Sequence, residues 1–66
     1  MLISVNGESR SFDDDATVVD VITALGAPKS GVAVAVDGEV VPRADWTLWR
    51  LNDGAAVEVL TAVQGG

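Results

Sequence analysis

Two dipeptides, Asn6-Gly7 and Asp37-Gly38, constrain this chain more than any other feature, because each stands between two runs with strand character. Asx-Gly pairs tolerate the positive φ angles of a two-residue hairpin turn, and apolar alternation on either side makes them strong hairpin signals. Before the first, Met1, Ile3 and Val5 alternate with Leu2 and Ser4, which predicts a strand with Met1, Ile3 and Val5 facing inward. The chain is expected to return as a more polar strand over Glu8 to Phe12. Before the second, Val32 to Val36 alternates valine with alanine, and Val40-Val41 begins the return. Between the hairpins the period changes. Val18, Val21, Ile22 and Leu25 fall at i, i+3, i+4 and i+7, the single apolar stripe of a helix. Thr17-x-x-Asp20 resembles a capping box, Asp13, Asp14 and Asp15 suit the positive end of a helix, and Gly26 followed by Pro28 ends it. The spacing predicts a helix over about 18–25.

Beyond the second hairpin Pro42 interrupts the ladder, and Arg43 to Trp46 reads as a short irregular or single-turn helical piece. Thr47 to Leu51 is expected as a short edge strand. Asn52-Asp53-Gly54 turns the chain into a last strand, from Ala55 or Ala56 to Val63. Two hairpins around one helix, with the terminal strands left to pair with each other, give an α+β fold of β-grasp (ubiquitin-like) type. Its mixed sheet of four to five strands packs on one helix and stays open on the other side. Residues 1–63 form this domain and residues 64–66 a flexible tail. With Val57, Val59, Thr61 and Val63 facing the helix, Glu58, Leu60 and Ala62 face outward, and Leu60 beside Ala62 is a candidate docking surface.

The composition excludes most chemistry. The 66 residues are 48% hydrophobic, enough for one small core, and valine (twelve) outnumbers leucine (five), which favours strands. There is no cysteine and no histidine, so the chain itself supplies no disulfide, zinc knuckle, redox pair or catalytic triad. A net charge of −6 repels phosphate backbones and anionic lipid, so neither nucleic acid nor membrane is an expected partner. The longest apolar run, Val32 to Val36, is far too short to span a bilayer, and no signal-peptide pattern opens the chain. The expected location is the cytoplasm. Gly26-Ala27-Pro28-Lys29-Ser30-Gly31 superficially resembles a phosphate-binding loop, but Pro28 removes a backbone donor and the segment feeds a strand, so it reads as a helix-to-strand connection. The aspartates 13–15 and Asp20 follow no EF-hand pattern and read as helix capping, with no metal site expected. Trp46 and Trp49 read as core or lid residues before partner anchors, and Arg43 and Arg50 as solvated or locally paired charge.

Gly65-Gly66 differs in kind. One reading is a frayed end. The other is chemical: two extended residues reach about 7 Å, and without Cβ atoms they enter a channel too narrow for any other residue. A free α-carboxylate is ionised at neutral pH and can attack an α-phosphate to form an acyl adenylate.

The chain length, the strand-helix-strand order, the stretch GVAVAVDGEVVPRADW (Gly31 to Trp46), the Asp53-Gly54 turn and the terminal Gly65-Gly66 together resemble the ThiS family of sulfur carriers in thiamine biosynthesis. The likeness covers essentially the whole chain, and Val-Val-Pro-Arg-x-x-Trp at Val40 to Trp46 is its most specific element. The resemblance implies a substrate rather than an enzyme. A ThiF-type adenylyltransferase uses ATP and Mg to adenylate the Gly66 carboxylate. A persulfide donor fed by a cysteine desulfurase then displaces AMP and leaves a thiocarboxylate, and a ThiG-type thiazole synthase accepts the sulfur. This chain would bind no cofactor itself. Gly66 would be the covalent site, Gly65 the narrow neck, and Leu60, Ala62 and Gln64 the docking surface. Gln64 departs from the small residue that many members carry before the diglycine. A carrier for molybdopterin, cysteine synthesis or tRNA thiolation, and a non-covalent β-grasp interaction module, are the alternatives.

Overall fold

The strand and helix assignments follow the two periodicities of the sequence closely. The computed structural model describes residues 1–27 and 30–61. In chain order the elements are β1 (Leu2–Val5), β2 (Glu8–Ser11), α1 (Val18–Leu25), β3 (Val32–Val36), β4 (Glu39–Val41), a 3-10 turn (Arg43–Asp45) and β5 (Ala56–Thr61). The five strands form one mixed sheet in the order β2-β1-β5-β3-β4. β1 and β5 run parallel (Ser4↔Ala56, Val5↔Val57), while both hairpins and the long β3–β5 ladder are antiparallel. This is the expected β-grasp arrangement, and of the four to five strands expected the sheet has five. Of the earlier expectations, Pro28 after the helix, Lys29 in the loop-like segment, the continuation of the last strand to Val63, the inward-facing Val63 and the 64–66 tail lie outside the described residues.

The hairpin turns take the backbone their residues allow. Asn6 and Asp37 both have φ 51 and the glycines after them φ 85, the pair of positive angles a type I′ turn requires. Helix α1 keeps Val18, Val21 and Ile22 fully buried, with Leu25 half-buried at its end. These residues pack on Ile3, Val5, Val34, Val36, Val57 and Val59 from the facing side of the sheet. Fully burying a Val or Ile side chain contributes about 1.5–3 kcal/mol, so this one layer is the main source of stability. Gly26 ends the helix at φ 68, and the Ala27 N–H reaches back to the Ile22 carbonyl at 3.3 Å.

The start of α1 corrects two expectations. The Thr17 N–H donates to Asp20 Oδ2 at 2.8 Å, as the capping box predicts. The next donors find backbone acceptors: Val18 N–H bonds the Trp49 carbonyl at 3.0 Å, and Val19 N–H the Trp46 carbonyl at 3.1 Å. Asp13, Asp14 and Asp15 are exposed and contribute no side-chain oxygen to these donors. Asp14 Oδ1 instead accepts from the Met1 amino group at 3.3 Å. The same bonds explain why Thr47 to Leu51 is not the edge strand the sequence suggested. Trp49 N–H turns back to the Asp45 carbonyl at 2.8 Å, and Leu51 N–H pairs with the Ala16 carbonyl at 3.0 Å. The segment is spent on the helix entry, leaving one isolated bridge, Thr17↔Arg50. The second hairpin's return strand is Glu39–Val41, ended by Pro42.

Trp46 completes the core from this loop. It is buried, and its indole N–H donates to the Val41 carbonyl at 3.1 Å. Trp49 is half-buried against the same cluster. Both therefore serve packing, as the sequence favoured.

Candidate functional site: the open face around the last strand

β5 lies at the centre of the sheet and leads into residues 62–66. Its placement rests on ladder bonds and also on three side chains from the Asx-Gly turns. The Asn6 amide bridges Val59: Val59 N–H donates to Asn6 Oδ1 at 2.8 Å, and Asn6 Nδ2 donates to the Val59 carbonyl at 3.2 Å. The Asn6 N–H still donates to the Val57 carbonyl at 2.9 Å, and the side-chain amide then extends the β1–β5 pairing to Val59, beyond the reach of the turning main chain. Asp37 does the equivalent on the other flank. Its Oδ1 accepts from Ala56 N–H at 2.9 Å while its own N–H bonds the Ala56 carbonyl at 2.8 Å. Asp53 Oδ1 accepts from Leu2 N–H at 2.9 Å, paired with Gly54 N–H to the Leu2 carbonyl at 2.8 Å.

Residues directly opposite in a ladder share a face of the sheet. Val34↔Val59 and Val36↔Val57 point to the helix, so Ala33↔Leu60 and Ala35↔Glu58 point to the open side, where Ala35↔Val40 extends the row. Leu60 is 66% exposed and Val40 70% exposed. A shallow, open depression of about 370 Å³, lined by Gly31, Val32, Ala33, Leu60 and Thr61, occupies the end of this face where β5 leaves the sheet. The predicted docking residue Leu60 is therefore where the sequence put it. Ala62, Gln64, Gly65 and Gly66 lie outside the described residues. The sequence reading missed Ala33 as the cross-strand partner of Leu60, and Val40 as an exposed residue of the same face. A signal was present: the Asp37-Gly38 turn sets Val40 opposite Ala35, and small alanines alternating with buried valines mark the outward side of β3.

Among the described residues no group of three or more His, Cys, Asp or Glu side chains is placed to hold a metal ion. The single ion pair among them joins Asp14 to the Met1 amino group. No helix among them is long and apolar enough to cross a membrane.

A mixed sheet of this order, gripping one helix and sending its central strand toward a diglycine, defines a β-grasp protein of the ubiquitin-like class. Comparison with known proteins narrows this. The ThiS family model matches residues 3–66, the diglycine included, and the chain belongs to the ThiS family. The crystal structure of the thiamine biosynthesis protein ThiS from Geobacter metallireducens superposes with a TM-score of 0.81 at 32% identity, covering all of both chains. The solution structure of a thiamine biosynthesis protein from the same organism gives 0.80 at 33% identity, covering all of this chain and 88% of the other. The chain is also 33% identical, over its full 66 residues, to part of a thiazole synthase from Paramagnetospirillum magneticum, and spans 20% of that relative's length.

Proposed function

We propose that the chain is a sulfur carrier of thiamine biosynthesis, modified at Gly66 and not itself an enzyme. The observation that carries this reading is the family match through residue 66 on a chain with neither cysteine nor histidine. A carrier of this composition holds sulfur at its own end, because no side-chain thiol is available. The Gly66 carboxylate attacks the α-phosphorus of Mg-ATP on a ThiF-type adenylyltransferase, forming the acyl adenylate and releasing pyrophosphate. A persulfide donor fed by a cysteine desulfurase then displaces AMP to give an acyl disulfide. A thiol cleaves its S–S bond to leave the thiocarboxylate and a disulfide on the donor, and the thiocarboxylate passes its sulfur to a ThiG-type thiazole synthase. The likeness to part of a thiazole synthase supports the last partnership, since carrier-like and synthase sequence share one chain there. Gly65 serves as the neck, and Leu60, Ala62 and Gln64 as the docking surface. These reactions place the carrier in the cytoplasm with its soluble partners.

Intact-mass measurement tests the scheme. Incubation with the adenylyltransferase, Mg-ATP and a sulfur source should exchange one carboxyl oxygen for sulfur, and deleting Gly66 should abolish the exchange. Conversion that survives the deletion would overturn the proposal. Cellular function that persists without Gly65 and Gly66 would favour a non-covalent module instead.

A further inference from the structure

The outward positions of the five strands are alanine, serine, valine and leucine, with one exception. Register places Glu58 opposite Ala35, in line with Val40, and one outward position before Leu60 on β5. It is the single ionisable residue on that side of the ladders, it is exposed, and among the described residues it forms no ion pair. An apolar partner surface closing over this row would take the Glu58 carboxylate out of water, which is costly unless a cation meets it.

We propose that Glu58 is the specificity-determining residue of this face, so that the face accepts the enzyme activating Gly66 only when that enzyme's apolar docking surface carries one arginine or lysine opposite it. The inference rests on the carrier reading. Charge complementarity is its basis: the chain carries −6, and Glu58 shares its face with the exposed apolar Val40, in its own row across Ala35, and Leu60, the next outward residue of β5. The same charge opposes pairing with a second copy. A two-fold contact through this patch lays the face against itself and buries two Glu58 carboxylates in one interface between two acidic domains.

The test compares the wild-type chain with Glu58→Gln and Glu58→Lys, reading pyrophosphate release by the adenylyltransferase. Glu58 is exposed and holds no core contact, so all three should unfold at closely similar temperatures. The expected result is a KM raised by roughly ten-fold or more in Glu58→Lys, a smaller rise in Glu58→Gln, and kcat nearly unchanged, because the reacting carboxylate is untouched. Reversing the matching Arg or Lys of the enzyme to Glu should restore Glu58→Lys. Adenylation of the wild type with KM unchanged in both variants overturns this inference and leaves the carrier reading standing. No adenylation of the wild type overturns the carrier reading and this one with it. A wild-type dimer in sedimentation that Glu58→Lys dissociates overturns it as well.

Discussion

Asn6 and Asp37 occupy equivalent places in their hairpins, with the same φ, yet they should respond unequally when their side-chain chemistry is exchanged. The Asn6 amide both accepts from and donates to Val59, at 2.8 and 3.2 Å. In Asn6→Asp the accepting oxygen remains, but the second oxygen replaces Nδ2 and faces the Val59 carbonyl with no proton between them. One hydrogen bond of about 1 kcal/mol is lost and a part-buried carbonyl is left facing a carboxylate, a penalty of about 1–3 kcal/mol. A stronger charge-assisted bond from Val59 N–H returns part of it. The net expectation is a loss of about 1–2 kcal/mol, or roughly 7–14 °C in Tm for a domain of this size. Asp37 only accepts through its side chain, from Ala56 N–H, and its donor leg is its own backbone. Asp37→Asn keeps an accepting oxygen and a residue tolerant of positive φ, so it should stay within about 0.5 kcal/mol of wild type. Thermal and urea unfolding at neutral pH check both. Acid gives a second check on the Asn6→Asp variant. Its new carboxyl has a folded-state pKa raised above the unfolded value, so the native state binds the extra proton and the variant's deficit shrinks as pH falls through that raised pKa. Equal losses in both variants, or a deficit that grows in acid, would refute the account of Asn6 as a two-way bridge.

Other expectations are simpler. Trp46→Phe removes the indole N–H from the Val41 carbonyl and should cost about 1–3 kcal/mol in urea unfolding, since a buried acceptor is left without its donor. Gly26→Ala meets no atom within 4 Å, so its cost is backbone strain alone, about 1–2 kcal/mol by thermal unfolding, and a neutral result would contradict the left-handed cap. Asp20→Ala should destabilise by about 0.5–2 kcal/mol through loss of the Thr17 N–H bond, whereas Asp15→Asn should change the unfolding midpoint little. Leu60→Ser should leave stability unchanged while raising the KM for adenylation, because 66% of the side chain is already in water.

Much of the fold was legible because local rules and the global arrangement agree. The Asx-Gly turns fixed both hairpins, the stripe at Val18, Val21, Ile22 and Leu25 fixed the helix face, and Gly26 fixed its end. The edge strand expected at Thr47 to Leu51 failed because propensity cannot see that the Trp46 and Trp49 carbonyls are needed at the entry of α1. Asn6, Asp37 and Asp53 were recognised as turn formers, but their bonds to Val59, Ala56 and Leu2 join residues far apart in sequence, and only the fold brings those partners within reach. Of the candidate site, Leu60 was readable from strand alternation. Val40 needed the register across β3 as well.

The strand order has a consequence for how this molecule is made. The β1–β2 and β3–β4 hairpins share no ladder with each other; each is joined to the sheet through β5 alone. Each ribbon can form as soon as its own turn is synthesised, yet neither can bury its valines until the strand nearest the diglycine arrives between them. Folding is therefore paced by the most non-local pairings in the chain. Because β5 closes the sheet, an incompletely synthesised chain ending before Ala56 would present two separate ribbons and no finished surface for an activating enzyme to grip.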